Sequence, residues 1–159
     1  QALIFTDGSC SRNGSDSAEG YWQVLGRPKV YRPWNRSYRI RDSHSISSQC
    51  VAEPCGNLND GVIPTSARAK LTAAIEALKW IDPVSESFRS VVVATDLDLI
   101  VSGISGWAWR WRANGWQTWA LRERRYRPIQ NADLWEKLID MVLRLEDQNV
   151  EVKFWKVPR

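Results

Sequence analysis

Histidine and cysteine are scarce in this chain of 159 residues, and their scarcity excludes two classes of protein. Three cysteines, an odd and low number, argue against a framework of disulfides. Cys50 and Cys55 could form a local disulfide or half of a zinc site. With His44 as the sole histidine, the chain lacks the remaining good ligands of a tetrahedral zinc centre. We therefore expect unpaired thiols and an intracellular protein, nuclear or cytoplasmic.

Long apolar runs are also missing, and no stretch approaches the roughly 20 residues that a membrane-spanning helix needs. No signal peptide or targeting segment is visible. The length predicts a single domain over residues 1–159. The first predicted strand begins almost at the first residue, and the last ends just before Arg159. We therefore expect that the domain is a piece of a longer protein.

Positive charge is concentrated in two segments, although the net charge is only +4. Segment 27–41 has six basic residues and no acid, and segment 107–127 has six arginines against Glu123. Such clusters on an otherwise acidic chain favour a polyanionic partner over a merely solvated surface. Tryptophans between the arginines of 107–127 favour nucleic acid. Both segments could also contact a protein partner, and no membrane contact is expected.

The first half of the chain predicts an antiparallel start to a sheet. Residues 2–6 resemble a buried central strand, and residues 20–26 and 29–40 are rich in β-formers, separated by Gly26 and Pro28. Residues 41–63, rich in serine, asparagine, aspartate and glycine, predict a loop insertion. The chain thus begins as a three-stranded meander followed by a long loop.

The second half predicts helices that alternate with strands. Thr65 or Ser66 can cap a helix with an apolar stripe, and Asn131 can cap the last helix. Residues 91–95 have the composition of a strand buried on both faces. The remaining elements are a helix with Ile100, Ile104, Trp107 and Trp111 on one face, interrupted at Gly115, and a final strand over 150–157. The order β-β-β-α-β-α-α-β predicts an α/β fold, a mixed five-stranded sheet with helices on both faces.

Two aspartates and a lysine stand where this topology would form a site. Asp7 follows the first strand, Asp96 follows the strand over 91–95, and Lys70 lies in the first turns of the intervening helix. If the two strands are parallel neighbours, both carboxylates lie at one edge of the sheet, where open α/β sheets place their sites. Two such aspartates and an acid on the helix would form a magnesium site, but here the helix offers a lysine.

In this order the motifs resemble those of the ribonuclease H family, of the cellular type with a basic protrusion. The resemblance covers nearly the whole chain except 41–63. It rests on several separate motifs: Thr6-Asp-Gly-Ser-Cys10, Arg68-Ala-Lys-Leu-Thr-Ala-Ala-Ile-Glu-Ala-Leu78, Thr95-Asp96, Gly103-Ile-Ser-Gly-Trp107 through Trp111 to Asn114-Gly-Trp-Gln-Thr118, Asn131-Ala-Asp-Leu-Trp135, and Phe154-Trp-Lys-Val-Pro158.

The resemblance implies two Mg²⁺ ions held by an Asp-Glu-Asp-Asp set, which cleaves the RNA strand of an RNA–DNA hybrid. Two such cations activate a water and stabilise the leaving oxygen. Asp7 and Asp96 match the first and third acids and would be the metal ligands. Lys70 stands where the second acid is expected, and the fourth would follow Arg159. The family's loop histidine has no counterpart either.

The resemblance also implies residues that contact nucleic acid. Asn13 and Thr65 are retained, whereas Ser66 and Ala67 replace asparagines that contact the hybrid. After the second aspartate, Leu97 and Asp98 replace a serine and a polar residue. In the protrusion, packing against the body is the alternative for Trp107, Trp111 and Trp116. The candidate contacts there are Trp109, Arg110, Arg112, Asn114 and Trp116, and Trp119 could likewise face a nucleic-acid backbone or a protein partner.

Three functions follow as hypotheses. In the first, the Lys70 ammonium lies between Asp7 and Asp96, so the domain is inactive and needs no metal but still binds an RNA–DNA hybrid, double-stranded RNA or a protein. In the second, Lys70 points to solvent and the domain is an active ribonuclease H that uses Mg²⁺ or Mn²⁺. In the third, the fold serves only as a protein-interaction module. Glu76, six residues along the helix, points roughly 120° away and cannot replace the missing acid.

Overall fold

The protein is described by a computed structural model that covers residues 1–14, 18–28, 65–79, 81 and 89–158. The predicted loop insertion 41–63 and most of segment 27–41 lie outside these residues. The described elements are strands β1 (Ala2–Ser11), β2 (Glu19–Pro28), β3 (Ser90–Thr95), β4 (Gln117–Ala120), β5 (Arg125–Pro128) and β6 (Glu151–Lys156), and helices α1 (Ser66–Lys79), α2 (Asp98–Ser102), α3 (Ala108–Ala113) and α4 (Ala132–Asp147), with a π-helical turn (Gly103–Trp107) between α2 and α3.

The main sheet has the order β2-β1-β3-β6 in the described part of the chain. β1 pairs antiparallel with β2, while β1–β3 and β3–β6 are parallel. The predicted mixed α/β sheet is therefore confirmed, and so is the prediction that the strands carrying the two aspartates are parallel neighbours. The strand predicted over 29–40, which would be the fifth, lies outside the described residues.

One face of the sheet carries the core. Ile4, Val93 and Phe154 are cross-strand partners, and they pack into one apolar cluster with α1 and α4. The buried stripe of α1 includes Leu71 and Leu78, so the predicted helical periodicity is confirmed. All described helices contribute buried side chains to this cluster. A helix layer on the other face, where Phe5 and Trp155 are exposed, remains a prediction.

Two side chains fix the start of α1, and one of them is the predicted cap Thr65. The backbone N–H of Arg68 donates to Oγ1 of Thr65 over 3.2 Å, so Thr65 is the N-cap. The backbone N–H of Ser66 donates to Oδ1 of Asn13 over 3.0 Å. The turn after β1 is thus hydrogen-bonded to the start of α1, which sets the position of the first turns of this helix.

The helical segment after β3 packs more closely on α4 than its sequence suggested. A Cβ at Gly103 would lie 2.4 Å from the Trp135 ring, so only glycine fits beside this buried indole. Ile104 is buried as predicted. Trp107 is 46% exposed, and its ring is tilted against the Trp111 ring at a centroid distance of 6.1 Å. Trp107 shares a face with Trp111, as predicted, but its ring is not buried in the core.

A hairpin between α3 and α4 was not predicted. β4 and β5 pair antiparallel, with Trp119 opposite Tyr126. The sequence order placed no strand in this segment, and that prediction is wrong. Every residue of β5 is exposed, so the segment lacks the alternation of apolar and polar residues that marks a half-buried strand.

Candidate active site

A close approach of β1 and α1 brings the three central residues together. A Cβ at Gly8 would lie 2.5 Å from the backbone carbon of Ala69 and from the backbone nitrogen of Lys70. Because glycine lacks this atom, the helix backbone lies directly against the strand. The backbone of Lys70 therefore lies against Gly8, the residue after Asp7. The parallel neighbour β3 brings Asp96 to the same edge of the sheet.

The Lys70 ammonium bridges the two carboxylates. Its Nζ lies 2.6 Å from Oδ1 of Asp7 and 2.5 Å from Oδ1 of Asp96. Only 4% of the Lys70 side chain is exposed, against 14% for Asp96 and 68% for Asp7. The backbone N–H of Gly8 donates to the same Asp7 oxygen over 2.7 Å. The prediction that the ammonium lies between the aspartates agrees with this geometry, and the solvent-directed alternative does not.

The residues present do not fit a pair of divalent cations. Mg²⁺ is held by several oxygen ligands, and magnesium sites for phosphoryl chemistry concentrate negative charge. Here the inner oxygens of Asp7 and Asp96 already accept a fixed cation. Within the described ranges, no group of three histidine, cysteine or acidic side chains could hold a metal ion. Of the nearby acids, Glu76 is bound by Lys79 at 2.6 Å and Asp98 by Lys156 at 3.1 Å.

A second charged cluster, which the sequence analysis missed, joins the N-termini of α1 and α4. The guanidinium of Arg68 donates two hydrogen bonds to Asp133, of 3.0 and 2.8 Å, and one of 3.0 Å to Oδ1 of Asn131. Arg68 is buried. A bidentate arginine–carboxylate pair fixes both partners in orientation as well as in distance. An arginine in the first turn of an amphipathic helix gives no sequence signal of such a partner 65 residues away.

The pH dependence of stability should report this pair. The hydrogen bonds from Arg68 lower the pKa of the Asp133 carboxyl below its usual range. A carboxyl whose folded pKa is lowered stabilises the fold above its unfolded pKa, near 4, and loses that effect as the pH falls further. We expect Asp133→Asn to lower Tm at neutral pH and to lower it progressively less below pH about 4. Thermal unfolding from pH 7 to 2 tests this, and a constant difference would contradict it.

Two of the predicted nucleic-acid contacts line one groove near the site. Asn13 and Thr65 line a groove of about 690 Å³ together with Arg68, Asn131 and Asp133. The structure thus brings the two retained positions together. Both are engaged in capping α1, which is compatible with contact to a ligand because each keeps an acceptor or donor.

The contacts predicted in the protrusion differ in their surroundings. The indole N–H of Trp109 donates to the carbonyl of Ile104 over 2.6 Å. Arg112 is paired with Asp140 at 2.9 Å, and Trp116 packs against the core, partly buried. Arg110 and Asn114 are exposed. Of the two arginines predicted to contact nucleic acid, Arg110 is thus the exposed one, and Arg112 is paired with Asp140.

Known proteins resemble this chain over most of its length. The RNase H family model matches residues 1–157. The chain belongs to the ribonuclease H family. Two ribonucleases H are representative relatives. That of Jannaschia sp. is 32% identical over 136 residues, which are 86% of this chain and 68% of the relative. That of Mycolicibacterium gilvum is 31% identical over 145 residues, 91% of this chain and 74% of the relative.

Solved structures show the same fold at lower sequence identity. The ribonuclease LC11-RNase H1, solved in complex with an RNA/DNA hybrid, has a TM-score of 0.55 and 16% identity and covers 100% of this chain and 86% of that one. A foamy viral protease-reverse transcriptase in complex with double-stranded DNA has a TM-score of 0.57 and 18% identity and covers 99% and 83%. At these identities the likeness establishes the ribonuclease H fold.

Proposed function

We propose that this ribonuclease H domain does not cleave RNA and instead binds nucleic acid. The observation that carries the proposal is the Lys70 ammonium within hydrogen-bond distance of both Asp7 and Asp96. The ammonium supplies the positive charge that the two carboxylates would otherwise take from Mg²⁺ or Mn²⁺. The domain then needs no metal cofactor to keep its site electrically balanced.

The charge of the site strongly disfavours a bound divalent metal ion. Replacing an acid by Lys70 changes the charge of the site by two units relative to the family pattern. At ion-pair distance each unit is worth about 4 kcal/mol at an effective dielectric constant near 20. Two units are ample to abolish binding at millimolar Mg²⁺. The remaining ligands, Asp7 and Asp96, would also have to release the ammonium before they could accept a metal.

Nucleic-acid binding is the part of the family function that this chain retains in our proposal. The groove beside α1 keeps Asn13 and Thr65, and the protrusion keeps exposed Arg110. A structural neighbour binds an RNA/DNA hybrid. We propose such a hybrid, or double-stranded RNA, as the partner, because arginines neutralise phosphates without a metal. An intracellular location, nuclear or cytoplasmic, belongs to the same proposal.

Two other functions stay as alternatives with different observables. An active, metal-dependent ribonuclease H would require the Lys70 side chain to leave its two partners. A protein-interaction module would bind through 27–41 and 107–127 and would show no salt-dependent affinity for nucleic acid. No helix in the described residues is long and apolar enough to cross a membrane.

Hybrid binding as a function of salt tests the proposal. We expect a labelled RNA–DNA hybrid to bind without divalent metal and to weaken as salt rises. Arg110→Ala should reduce the logarithmic salt slope by about one, since one phosphate contact is lost. Arg144→Ala, an exposed arginine on α4, is the matched control and should leave the slope unchanged. Absence of salt-dependent binding would overturn the proposed nucleic-acid function and favour the protein-interaction module.

A further inference from the structure

The β4–β5 hairpin presents two aromatic rings to solvent. Trp119 is 48% exposed and Tyr126 is 63% exposed. Their ring centroids lie 5.0 Å apart at an interplanar angle of 71°. Because the two residues are direct cross-strand partners, both side chains project from the same face of the hairpin. Leu121, 82% exposed, follows at the tip. An apolar patch of this kind marks an interaction site.

The charge of the hairpin indicates the kind of partner. Segment 117–128 has four arginines and one glutamate. Arg125 and Arg127 both donate to Oε2 of Glu123, at 2.7 and 2.8 Å. Arg122 and Arg124, at the tip, are exposed and have no ion-pair partner within the described chain. The aromatic pair therefore lies beside two guanidinium groups that remain available to an anion.

Contacts at its base join the hairpin to the body of the domain. At its base, the backbone N–H of Ile129 donates to the carbonyl of Trp116 over 2.9 Å. Both of these side chains pack against the core. The pairing of Glu123 with two arginines ties the tip to β5. Because the β4–β5 hairpin is held at its base, a ligand that binds it loses little free energy to ordering the protein.

We propose that this hairpin binds unpaired nucleotides, with bases stacked on Trp119 and Tyr126 and phosphates contacted by Arg122 and Arg124. Exposed rings next to arginines are the pattern that binds single-stranded nucleic acid, because every base offers a π-face and every linkage a charge. In a duplex the bases are already stacked on one another and cannot reach the rings. Together with the proposed function, on which this step rests, the favoured ligand is a hybrid that continues into a single strand.

Three labelled probes test the inference with the whole chain: a blunt RNA–DNA hybrid, the same hybrid with a single-stranded extension, and the single strand alone. We expect the extension to tighten binding by at least about fivefold, the effect of a single stacked base worth about 1 kcal/mol. The double substitution Trp119→Ala and Tyr126→Ala should remove that gain. Trp155→Ala, at an exposed tryptophan on the main sheet, is the matched control and should keep it. Trp119→Phe, which retains a ring, should also keep most of it.

The outcomes separate this inference from the proposed function. Equal binding of the blunt and extended hybrids overturns the inference and leaves hybrid binding by the domain intact. A protein-binding hairpin gives that same result. An extension effect that survives the double substitution also overturns it. If the blunt hybrid does not bind but the single strand binds and is lost in the double variant, the inference stands and the proposed hybrid binding fails. Circular dichroism confirms that each variant is folded.

Discussion

Replacing Lys70 with glutamate is expected to create a divalent-metal site where the chain has none. The lysine reaches both Asp7 and Asp96. A glutamate side chain is shorter and would leave a gap between three carboxylates. The change removes one positive charge and adds one negative charge, and each of these two units is worth about 4 kcal/mol toward a nearby cation at an effective dielectric constant near 20. We therefore expect an increase in Mn²⁺ affinity of at least about a thousandfold, since about 4 kcal/mol already corresponds to that factor.

Calorimetric titration with Mn²⁺ measures this change. Lys70→Gln serves as the control because it removes the cation without adding a carboxylate, and its affinity should fall between those of the other two proteins. The unsubstituted chain should show no Mn²⁺ binding at millimolar concentrations of the metal. If it binds Mn²⁺ as tightly as the Lys70→Glu variant, the ammonium does not exclude metal and the account of the site is wrong.

Neutralising Asp96 is expected to destabilise the fold strongly. In a site made of carboxylates alone, removal of one charge would relieve repulsion in the absence of metal. Here the sign is opposite, because Asp96 is a largely buried partner of a buried ammonium. Removing one partner of a buried ion pair typically costs about 3–5 kcal/mol. We expect Asp96→Asn to cost about 3 kcal/mol, since Lys70 keeps Asp7, and Asp7→Asn to cost only about 1 kcal/mol because Asp7 is exposed.

Urea unfolding of a double-mutant cycle checks the origin of that loss. Lys70→Met keeps the length of the side chain and removes its charge. Added to Asp96→Asn, it should restore most of the lost stability, because no uncompensated buried cation remains. A neutral or stabilising Asp96→Asn, or additive effects in the cycle, would show that the ion pair does not hold this edge of the sheet together.

Local signals predicted well the sheet edge where Asp7, Asp96 and Lys70 meet. Thr65 caps α1, as a threonine before an apolar stripe suggests. Asp7, within the longer β1, and Asp96, just after β3, meet because their strands are parallel neighbours, a consequence of the α/β order of the elements. The proximity of Lys70 to both acids then followed from its place in the first turns of the helix between them.

Other features depend on contacts that leave no local signal. The pairing of Arg68 with Asp133 joins two helices far apart in sequence, and either residue alone resembles a solvated surface charge. Gly103, in the π-helical turn, packs on Trp135, and no local pattern in the sequence indicates that contact. The hairpin at 117–128 is exposed on most of its surface, so burial imposes no pattern on its residues.

Cleavage of a labelled RNA–DNA hybrid, with protein in excess and with Mg²⁺ or Mn²⁺, tests the central claim most directly. We expect the unsubstituted chain to leave the RNA intact with either metal. Cleavage by the Lys70→Glu variant alongside it would identify one residue as the switch. RNA cut by the unchanged chain, with the activity abolished by Asp7→Asn, would mean that two aspartates and a lysine suffice for catalysis and would contradict the proposal.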